Sequence, residues 1–399
     1  VDISGPKNSE YLARVQESIL AAMEAMPDSA RVGIITFDNR VGIWNLEGIN
    51  NPTEDSAILT RVHHIPIPDS SKKECPISIT QVLSPEKFLV PLEKNFAAIT
   101  HTVERICKMG TGSNKRGLGA TIQLVTNFFS SFDPMNVRAT IFLSGRPNYG
   151  IGFIADLSSE ERSIHPSCSF YQDISKKSTL KSGVCFDLVV ISDTEKQFVG
   201  LPSLQYLAAH TGGNVSLYQP TDILCARDMY RRFAAPMAFQ CLIRLRCAQE
   251  YEVHHAYGHL LQDSVYDSLY HVPGCDIWKT FAFDFKHCSP SGFIHSRSRK
   301  TVLQFAFAHA FLPGKCSGER RGTVERRLRI HTIQMDRTLA LPKLYASVDS
   351  ETTILLLNHK LQQELFKKGM TEVRSLLQDW LTLLLVKYNR FIVSPKKNE

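Results

Sequence analysis

Apolar residues recur at helical spacing along the first part of the chain and alternate with continuous apolar runs. Between Glu10 and Met26 they return every three or four residues, which predicts an amphipathic helix that ends at Pro27. Continuous apolar runs at 32–37, 136–143 and 184–191 predict strands buried on both faces of a mostly parallel sheet. Further elements are predicted as a strand at 214–218 and helices at 94–108, 119–132, 166–181 and 202–210. This alternation indicates a doubly wound α/β domain.

Two local sequence signals add detail to the predicted first domain. The turn signal Asp38-Asn39 predicts that 41–46 pairs as a hairpin with the strand at 32–37. A polar, proline-rich stretch over 50–91 indicates a long insertion with short extended pieces.

The pattern changes near Phe233, where strands begin to alternate apolar and polar residues. Such strands are predicted at 240–246, 251–258, 278–285, 301–310 and 326–333. Their alternation is typical of an antiparallel β-sandwich. Two amphipathic helices follow at 348–369 and 370–388 and predict an αα-hairpin. We therefore predict an α/β trunk domain at 1–232, a β-sandwich domain at 233–340 and a helical domain at 341–399.

The composition is that of a globular protein. The chain has 399 residues, 43% of them hydrophobic, and a net charge of +7, which permits an acidic partner without requiring one. No apolar run reaches the ~18 residues of a membrane span. The ten cysteines are scattered without a CxxC pair, and Cys185 and Cys241 lie in apolar stretches. Buried, reduced thiols are therefore expected.

The opening Asp2-x-Ser4 resembles the metal loop of von Willebrand A-type domains, in which carboxylate and hydroxyl oxygens bind a divalent ion. Two ligand positions of that loop are lost, because Pro6 has no hydroxyl and Ser144-Gly145 stands where Asp-Gly is common. We expect Asp2 and Ser4 to form a degenerate site that caps the loop and holds no metal.

Other motifs of catalysis are missing. The glycine-rich stretch 110–119 follows a helix and has no Gly-Lys-Ser/Thr, so a loop entering a helix is favoured over a phosphate-binding loop. The sequence has no His-Glu-x-x-His and no Gly-x-Ser-x-Gly. No catalytic residue is therefore predicted.

Basic residues cluster beside the predicted sandwich strands. They are Arg297, Arg299, Lys300, Arg320, Arg321, Arg326, Arg327 and Arg329. They suit an acidic surface, and a solvated charged strand explains them equally well. Because no aromatic stacking residues lie among them, nucleic acid is disfavoured as a partner.

Four segments, in this order, resemble the inner-coat subunits of the COPII vesicle coat, the Sec23/Sec24 family. They are RVGIITF at 31–37, LSGRPNYG at 143–150, Thr-Gly-Gly at 211–213 before a strand, and ERRLRIHT at 325–332. The succession of A-type trunk, sandwich and helices is similar too. The opening and the segment 144–150 favour a plant-type Sec23-like protein, while the strand at 325–332 suits either branch.

The resemblance implies a coat component in transport from the endoplasmic reticulum to the Golgi, peripheral on the cytosolic face of that membrane. It implies three partners: a Sar-type small GTPase, a paralogous Sec24-type subunit and the anionic membrane. The basic residues named above would face this membrane, at ~1 kcal/mol for each cation. The protein would not itself be an enzyme. A cargo adaptor of the same coat is one alternative, and a metal-dependent A-type ligand binder is another.

Two parts of the family pattern have no counterpart in this chain. The four-cysteine zinc finger should precede the trunk, so no cofactor is expected. The gelsolin-like domain should follow the helices and carries the arginine that stabilises the charge developing on GTP. Since Val1 has no strand before it, we also expect a chain that lacks the centre of its own sheet.

Overall fold

The computed structural model describes residues 1–47, 60–69, 75, 77–133, 135–156, 165–192, 197–293, 300–312, 324–338 and 340–393. Its α-helices are α1 (Glu10–Ala25), α2 (Ile79–Val82), α3 (Pro85–Phe88), α4 (Leu92–Cys107), α5 (Leu118–Phe129), α6 (Phe170–Lys177), α7 (Leu201–Thr211), α8 (Leu224–Ala234), α9 (Leu341–Ala346), α10 (Ser350–Lys368) and α11 (Met370–Tyr388), and short π-helical turns follow α6 (Ser178–Ser182) and α11 (Asn389–Val393). Its strands are β1 (Arg31–Val32), β2 (Ile35–Phe37), β3 (Arg40–Asn45), β4 (Arg61–Pro66), β5 (Val90–Pro91), β6 (Val137–Leu143), β7 (Val184–Ile191), β8 (Val215–Tyr218), β9 (Met237–Cys247), β10 (Tyr251–Tyr257), β11 (Leu261–Gln262), β12 (Leu269–Asp276), β13 (Ala282–His287), β14 (Lys300–Leu312) and β15 (Glu325–Asp336).

The trunk contains a parallel sheet with the strand order β6-β7-β8. All residues of β7 are buried, as a continuous apolar run predicts for a strand covered on both faces. A second sheet has the order β2-β3-β4, and its β2–β3 hairpin confirms the predicted pairing of 41–46. Helices α1 and α8 pack on each other, and α6 packs on α7. The doubly wound α/β prediction is confirmed.

The first residues lie between these two sheets. The backbone N–H of Asp2 donates to Phe142 of β6 at 3.0 Å, and that of Ile3 donates to Phe37 of β2 at 3.0 Å. Asp2 also forms a parallel bridge with Phe37. The short segment Val1–Ile3 thus lies between β2 and β6, at the centre of the trunk, where we expected a strand to be lacking.

The predicted strand at 32–37 is interrupted in its middle. Val32 pairs with Val90 of β5, whereas Ile35 pairs with Ile43 of β3. Gly33 lies at the break, where a Cβ would come within 2.9 Å of Phe88 and Leu89 side chains. The prediction of one continuous strand at 32–37 was therefore wrong at its middle residues. There the backbone of Gly33 packs closely against the side chains of Phe88 and Leu89.

The second half contains antiparallel pairs, as the alternating pattern predicts. One sheet has the order β11-β12-β9-β14-β15, in which β11–β12 and β12–β9 are antiparallel. Strands β10 and β13 form a separate antiparallel pair. Helix α8 and strand β12 were not predicted.

Helices α10 and α11 form the predicted hairpin around Gly369, whose φ of +83° suits glycine. Asp349 caps α10 by accepting a hydrogen bond from the Thr352 N–H at 2.9 Å. Lys360 pairs with Asp284 of β13 at 2.9 Å. Within the described residues, no helix has both the length and the apolar character needed to cross a bilayer.

The chain divides into two compact units. One comprises 1–244, 259–279 and 307–329, and the other comprises 245–258, 280–306 and 330–399. The first unit contains the two trunk sheets, and the second contains the β10–β13 pair and helices α9 to α11. The three-domain division at 232 and 340 stays a prediction.

The cysteines of the described residues are free thiols. Cys185 and Cys241 are buried, as their apolar surroundings predict. Burial raises the pKa of the Cys185 thiol, and a hydrogen bond with Cys275, together with burial, raises the pKa of Cys241. Cys288 is the one exposed cysteine among those described.

His210 of α7 provides a prediction about acid stability. Its Nδ1 lies 2.8 Å from the Ser175 hydroxyl, and burial lowers its pKa to about 4. In the unfolded chain His210 takes up a proton near pH 6.5, whereas in the folded protein it does so only near pH 4. The contribution of His210 to the free energy of unfolding should therefore be fully present above pH 6.5 and should decrease as the pH falls towards 4. The contribution is at most ~1.4 kcal/mol per pH unit.

Urea unfolding of the wild type and of His210→Gln over this pH range measures that contribution. The other histidines are common to both proteins, so the difference between the two profiles isolates His210. Parallel profiles would show that His210 is not responsible.

Candidate functional site

The carboxylate of Asp2 is the centre of a polar cluster where strands β2 and β6 of the trunk end. It is completely buried. Oδ1 accepts hydrogen bonds from the Ser4 hydroxyl at 2.7 Å and the Ser4 N–H at 3.0 Å. Oδ2 accepts from the Ser144 hydroxyl at 2.6 Å and the Ser144 N–H at 3.1 Å. Ser4, the other residue of the predicted loop, therefore binds the carboxylate of Asp2 directly, as does Ser144.

A guanidinium group completes the cluster. Nε of Arg116 donates to Oδ2 of Asp2 at 3.0 Å and lies 3.1 Å from the Ser144 hydroxyl. The backbone N–H of Arg116 donates to the Asn148 side chain at 2.7 Å, and that side chain donates to Asn114. Arg116 is thus held at both its backbone and its side chain, and it supplies the positive charge that a buried carboxylate requires.

These residues do not fit a divalent ion. Both oxygens of Asp2 are used by side-chain and backbone donors, and a guanidinium, not an acceptor, lies beside them. In the described part of the chain, no three His, Cys, Asp or Glu residues are grouped as metal ligands. This geometry disfavours the metal-dependent ligand binder.

The glycine-rich loop before α5 is fixed against the same cluster. Backbone N–H groups of Thr111, Gly112 and Asn114 donate to carbonyls of Ile3, Gly5 and Ser4 at 2.9–3.0 Å. The loop therefore braces the opening segment and leads into α5. These three amides are used within the protein and are not available to an anion.

The four described basic residues lie on two neighbouring strands of one sheet. Lys300 begins β14, and Arg326, Arg327 and Arg329 lie on β15. Arg327 pairs with Glu325 at 2.8 Å, and its guanidinium lies 4.0 Å from the Phe311 ring centre. The other four predicted cations, Arg297, Arg299, Arg320 and Arg321, lie outside the described residues. That these cations face a membrane stays a prediction.

A second buried ion pair joins the strands of the trunk sheet. Nε of Arg138 on β6 donates to Asp187 on β7 at 2.5 Å, and the two side chains are 9% and 3% exposed. Burial lowers the pKa of Arg138, but the adjacent Asp187 outweighs it, so the pKa is raised overall. The guanidinium also lies over the Phe233 ring at 4.3 Å.

This pair continues into a polar network that the sequence did not reveal. Asn214 donates to Asp187 through its N–H at 2.8 Å and to Asp276 through its side chain at 2.9 Å. Nζ of Lys279 donates to Gly213 and Asn214 at 2.6 and 2.7 Å. Burial lowers the pKa of Lys279. The network ties the end of the trunk to β12 and is structural, because its donors and acceptors are used internally.

Two solved structures show the fold class. A von Willebrand factor type A structure from Catenulispora acidiphila matches with a TM-score of 0.54 and 10% identity, over 90% of this chain and 70% of that one. The human COPII-coat protein Sec24c matches with a TM-score of 0.77 and 18% identity, over 98% of this chain and 50% of that one. The predicted A-type trunk is confirmed.

The family follows from the sequence match. Residues 1–222 match the Sec23/Sec24 trunk domain, so the chain belongs to the Sec23/Sec24 family. Protein transport protein SEC23 D of Arabidopsis thaliana is 30% identical over 98% of this chain and 55% of that protein. Human Sec24B is 22% identical over 92% of this chain and 27% of that protein. The chain thus spans about half of one relative and about a quarter of the other.

Proposed function

We propose that this protein is a component of the COPII coat that acts in transport from the endoplasmic reticulum to the Golgi. The match of residues 1–222 to the family trunk domain is the observation that carries the proposal. The Sec24c-like fold over 98% of the chain supports it. The protein would be peripheral on the cytosolic face of the membrane and would act by docking partners rather than by catalysis.

Within the coat, we favour the Sec23-type branch. The SEC23 D relative is 30% identical, whereas the Sec24 relatives named above and from fungi are 20–23% identical. This branch implies docking of a Sar-type GTPase and of a paralogous Sec24-type subunit. We assign no residue of this chain as the arginine that activates the GTPase. GTPase activation is therefore inferred from the Sec23-type branch alone and is not attached to any site described above.

The edge of the parallel sheet offers a surface for the paralogous subunit. Strand β8 is the last strand of the order β6-β7-β8, and its Leu217 is 49% exposed. Ile223 and Leu224, just before and at the start of α8, are 70% and 41% exposed. Exposed apolar side chains beside a sheet edge are typical of protein interfaces.

A pull-down from cell extract tests the proposal. The wild-type chain should recover a Sec24-type subunit and a Sar-type GTPase, the latter when GTP hydrolysis is blocked. Leu217→Glu combined with Ile223→Glu should reduce recovery of the subunit at least tenfold, because a charge is then buried at the contact. Val265→Glu is a matched control, since Val265 is 78% exposed and lies in the loop between β11 and β12.

Two outcomes would count against the proposal. Recovery of neither partner by the wild type contradicts membership of the coat. Recovery that the double substitution leaves unchanged contradicts docking at β8 while leaving the coat function in place.

A cargo adaptor of the same coat is the second candidate, favoured by the Sec24c fold and the Sec24 relatives. It predicts specific binding of cytosolic tail peptides from membrane cargo, measured by fluorescence anisotropy. A set of such peptides without saturable binding would contradict it.

A further inference from the structure

The polar cluster around Asp2 uses only part of the Arg116 guanidinium. Of its three nitrogens, Nε is bound, to Asp2 at 3.0 Å and to Ser144 at 3.1 Å. Nη1 and Nη2 have no hydrogen-bond partner in the described part of the chain, and neither of them is fully buried. The side chain is 11% exposed, so the two nitrogens are N–H donors that reach the surface through a narrow opening.

A further unpaired donor, the side-chain amide of Gln197, lies beside this guanidinium. Its Oε1 accepts a hydrogen bond from the Ser192 hydroxyl at 3.0 Å, whereas its Nε2 has no acceptor among the described residues. A Cβ placed on Gly145 would come within 2.4 Å of that Nε2 and 3.2 Å of Cζ of Arg116. Both groups therefore border the space above Gly145, which glycine leaves open because it has no side chain.

Neighbouring N–H donors that share no acceptor indicate a place for an anion. Asp2 does not serve as that acceptor, because donors from Ser4, Ser144 and Nε of Arg116 already use both of its oxygens. The position in the fold agrees with this interpretation. Gly145 follows the end of β6, Ser192 follows the end of β7, and open α/β sheets bind ligands outside the carboxyl ends of their strands.

We propose that Arg116 and Gln197 form a metal-independent site for a phosphoryl group, either free phosphate or the end group of a small phosphomonoester. Three oxygens of such a group match the three donor nitrogens Nη1, Nη2 and Nε2. Asp2 holds the guanidinium in place through Nε, so little side-chain ordering is needed when the ligand binds. This inference goes beyond the coat function and is independent of it, because it rests only on the contacts of these residues.

A carboxylate matches the site less completely. It has two oxygens, so one of the three donor nitrogens would be left without an oxygen of its own. A group with three oxygens satisfies all of them at once, and donors that are covered by a ligand without being bonded reduce its affinity. We therefore expect phosphate to bind more tightly than acetate.

Isothermal titration calorimetry of the full chain with inorganic phosphate, in the presence of EDTA, tests the proposal. The wild type should bind phosphate saturably. Gln197→Glu should raise the Kd at least about tenfold, because the new carboxylate pairs with Arg116 and repels the anion. Gln262→Glu makes the same change at an exposed residue of β11 and should leave the Kd unchanged. Arg116 is kept in every variant, since its loss would remove the counter-charge of buried Asp2.

An uncharged variant and two further probes complete the design. Gly145→Ala should also weaken phosphate binding, because its methyl group occupies the space between the donors. Circular dichroism and thermal unfolding of each variant show that the fold is retained. Titration with glycerol 2-phosphate separates the two sources of the phosphoryl group: tighter binding than phosphate identifies an ester as the ligand, and equal binding shows that phosphate alone is recognised.

Absence of saturable phosphate binding by the wild type would overturn the proposal. Equal affinity of the wild type and Gln197→Glu would overturn it too, because the anion would then bind elsewhere. Acetate that binds more tightly than phosphate would replace the phosphoryl group with a carboxylate. Phosphate binding that EDTA abolishes would show that a metal ion holds the anion in place of the guanidinium.

Discussion

Replacing Arg116 with alanine should destabilise the trunk by about 3–5 kcal/mol, which is the usual cost of leaving one member of a buried ion pair without its partner. Asp2 is completely buried, and among the described residues Arg116 is the one side chain that forms an ion pair with it. The remaining donors, Ser4 and Ser144, are neutral groups that cannot replace the lost charge. Thermal unfolding followed by calorimetry measures this loss.

Three comparisons make the result specific. Arg227→Ala removes a half-exposed arginine that is 3.7 Å from Asp228, and it should cost less than ~1 kcal/mol. Asp2→Asn combined with Arg116→Ala should recover part of the loss, because no buried charge remains. Mn²⁺ should leave the wild-type midpoint unchanged. A midpoint that rises with Mn²⁺ would show that the guanidinium does not occupy the cation position.

Replacing Asp187 with asparagine should have an effect of similar size, about 3–5 kcal/mol, because Arg138 is then buried without a counter-charge. The destabilisation should extend beyond β7, since Asp187 also accepts a hydrogen bond from the backbone N–H of Asn214, just before β8. We expect the midpoint of the trunk to fall by roughly 10 °C.

The exposed pair Lys286–Glu252 provides a contrast. Its side chains are 54% and 53% exposed, so Lys286→Ala should change stability by less than ~1 kcal/mol. Arg138→Met with Asp187→Leu removes both buried charges and should recover most of the stability lost by Asp187→Asn. A loss of under 1 kcal/mol in Asp187→Asn itself would mean that the pair is not a central support of the sheet.

Much of the fold was predictable because continuous apolar runs and helical periodicity are local signals. Strand β7 lies at 184–191, as predicted, and α11 ends at Tyr388, as predicted. Strand β12 was missed because Pro273-Gly274 interrupts its pattern, and such a dipeptide usually argues against a strand. The break at Gly33 depends on Phe88 and Leu89, which no local pattern reveals.

The candidate site was predictable only in part. The loss of metal ligands at Pro6 and Ser144 was visible in the sequence, and so was the opening Asp2-x-Ser4. Arg116 was not recognised, because it lies 114 residues from Asp2 in a glycine-rich stretch where a basic residue is ordinarily solvated. Only the tertiary fold brings its side chain onto the carboxylate.

Because some of its thiols are buried and one is exposed, the reactivity of the cysteines can report local unfolding of the protein. A maleimide reagent reacts with thiolates that it can reach, so in the native state it should label Cys288 well before Cys185 or Cys241. The buried pair becomes reactive only when the surrounding sheets separate. Pulse labelling followed by mass spectrometry would therefore time the exposure of each core position without any added probe.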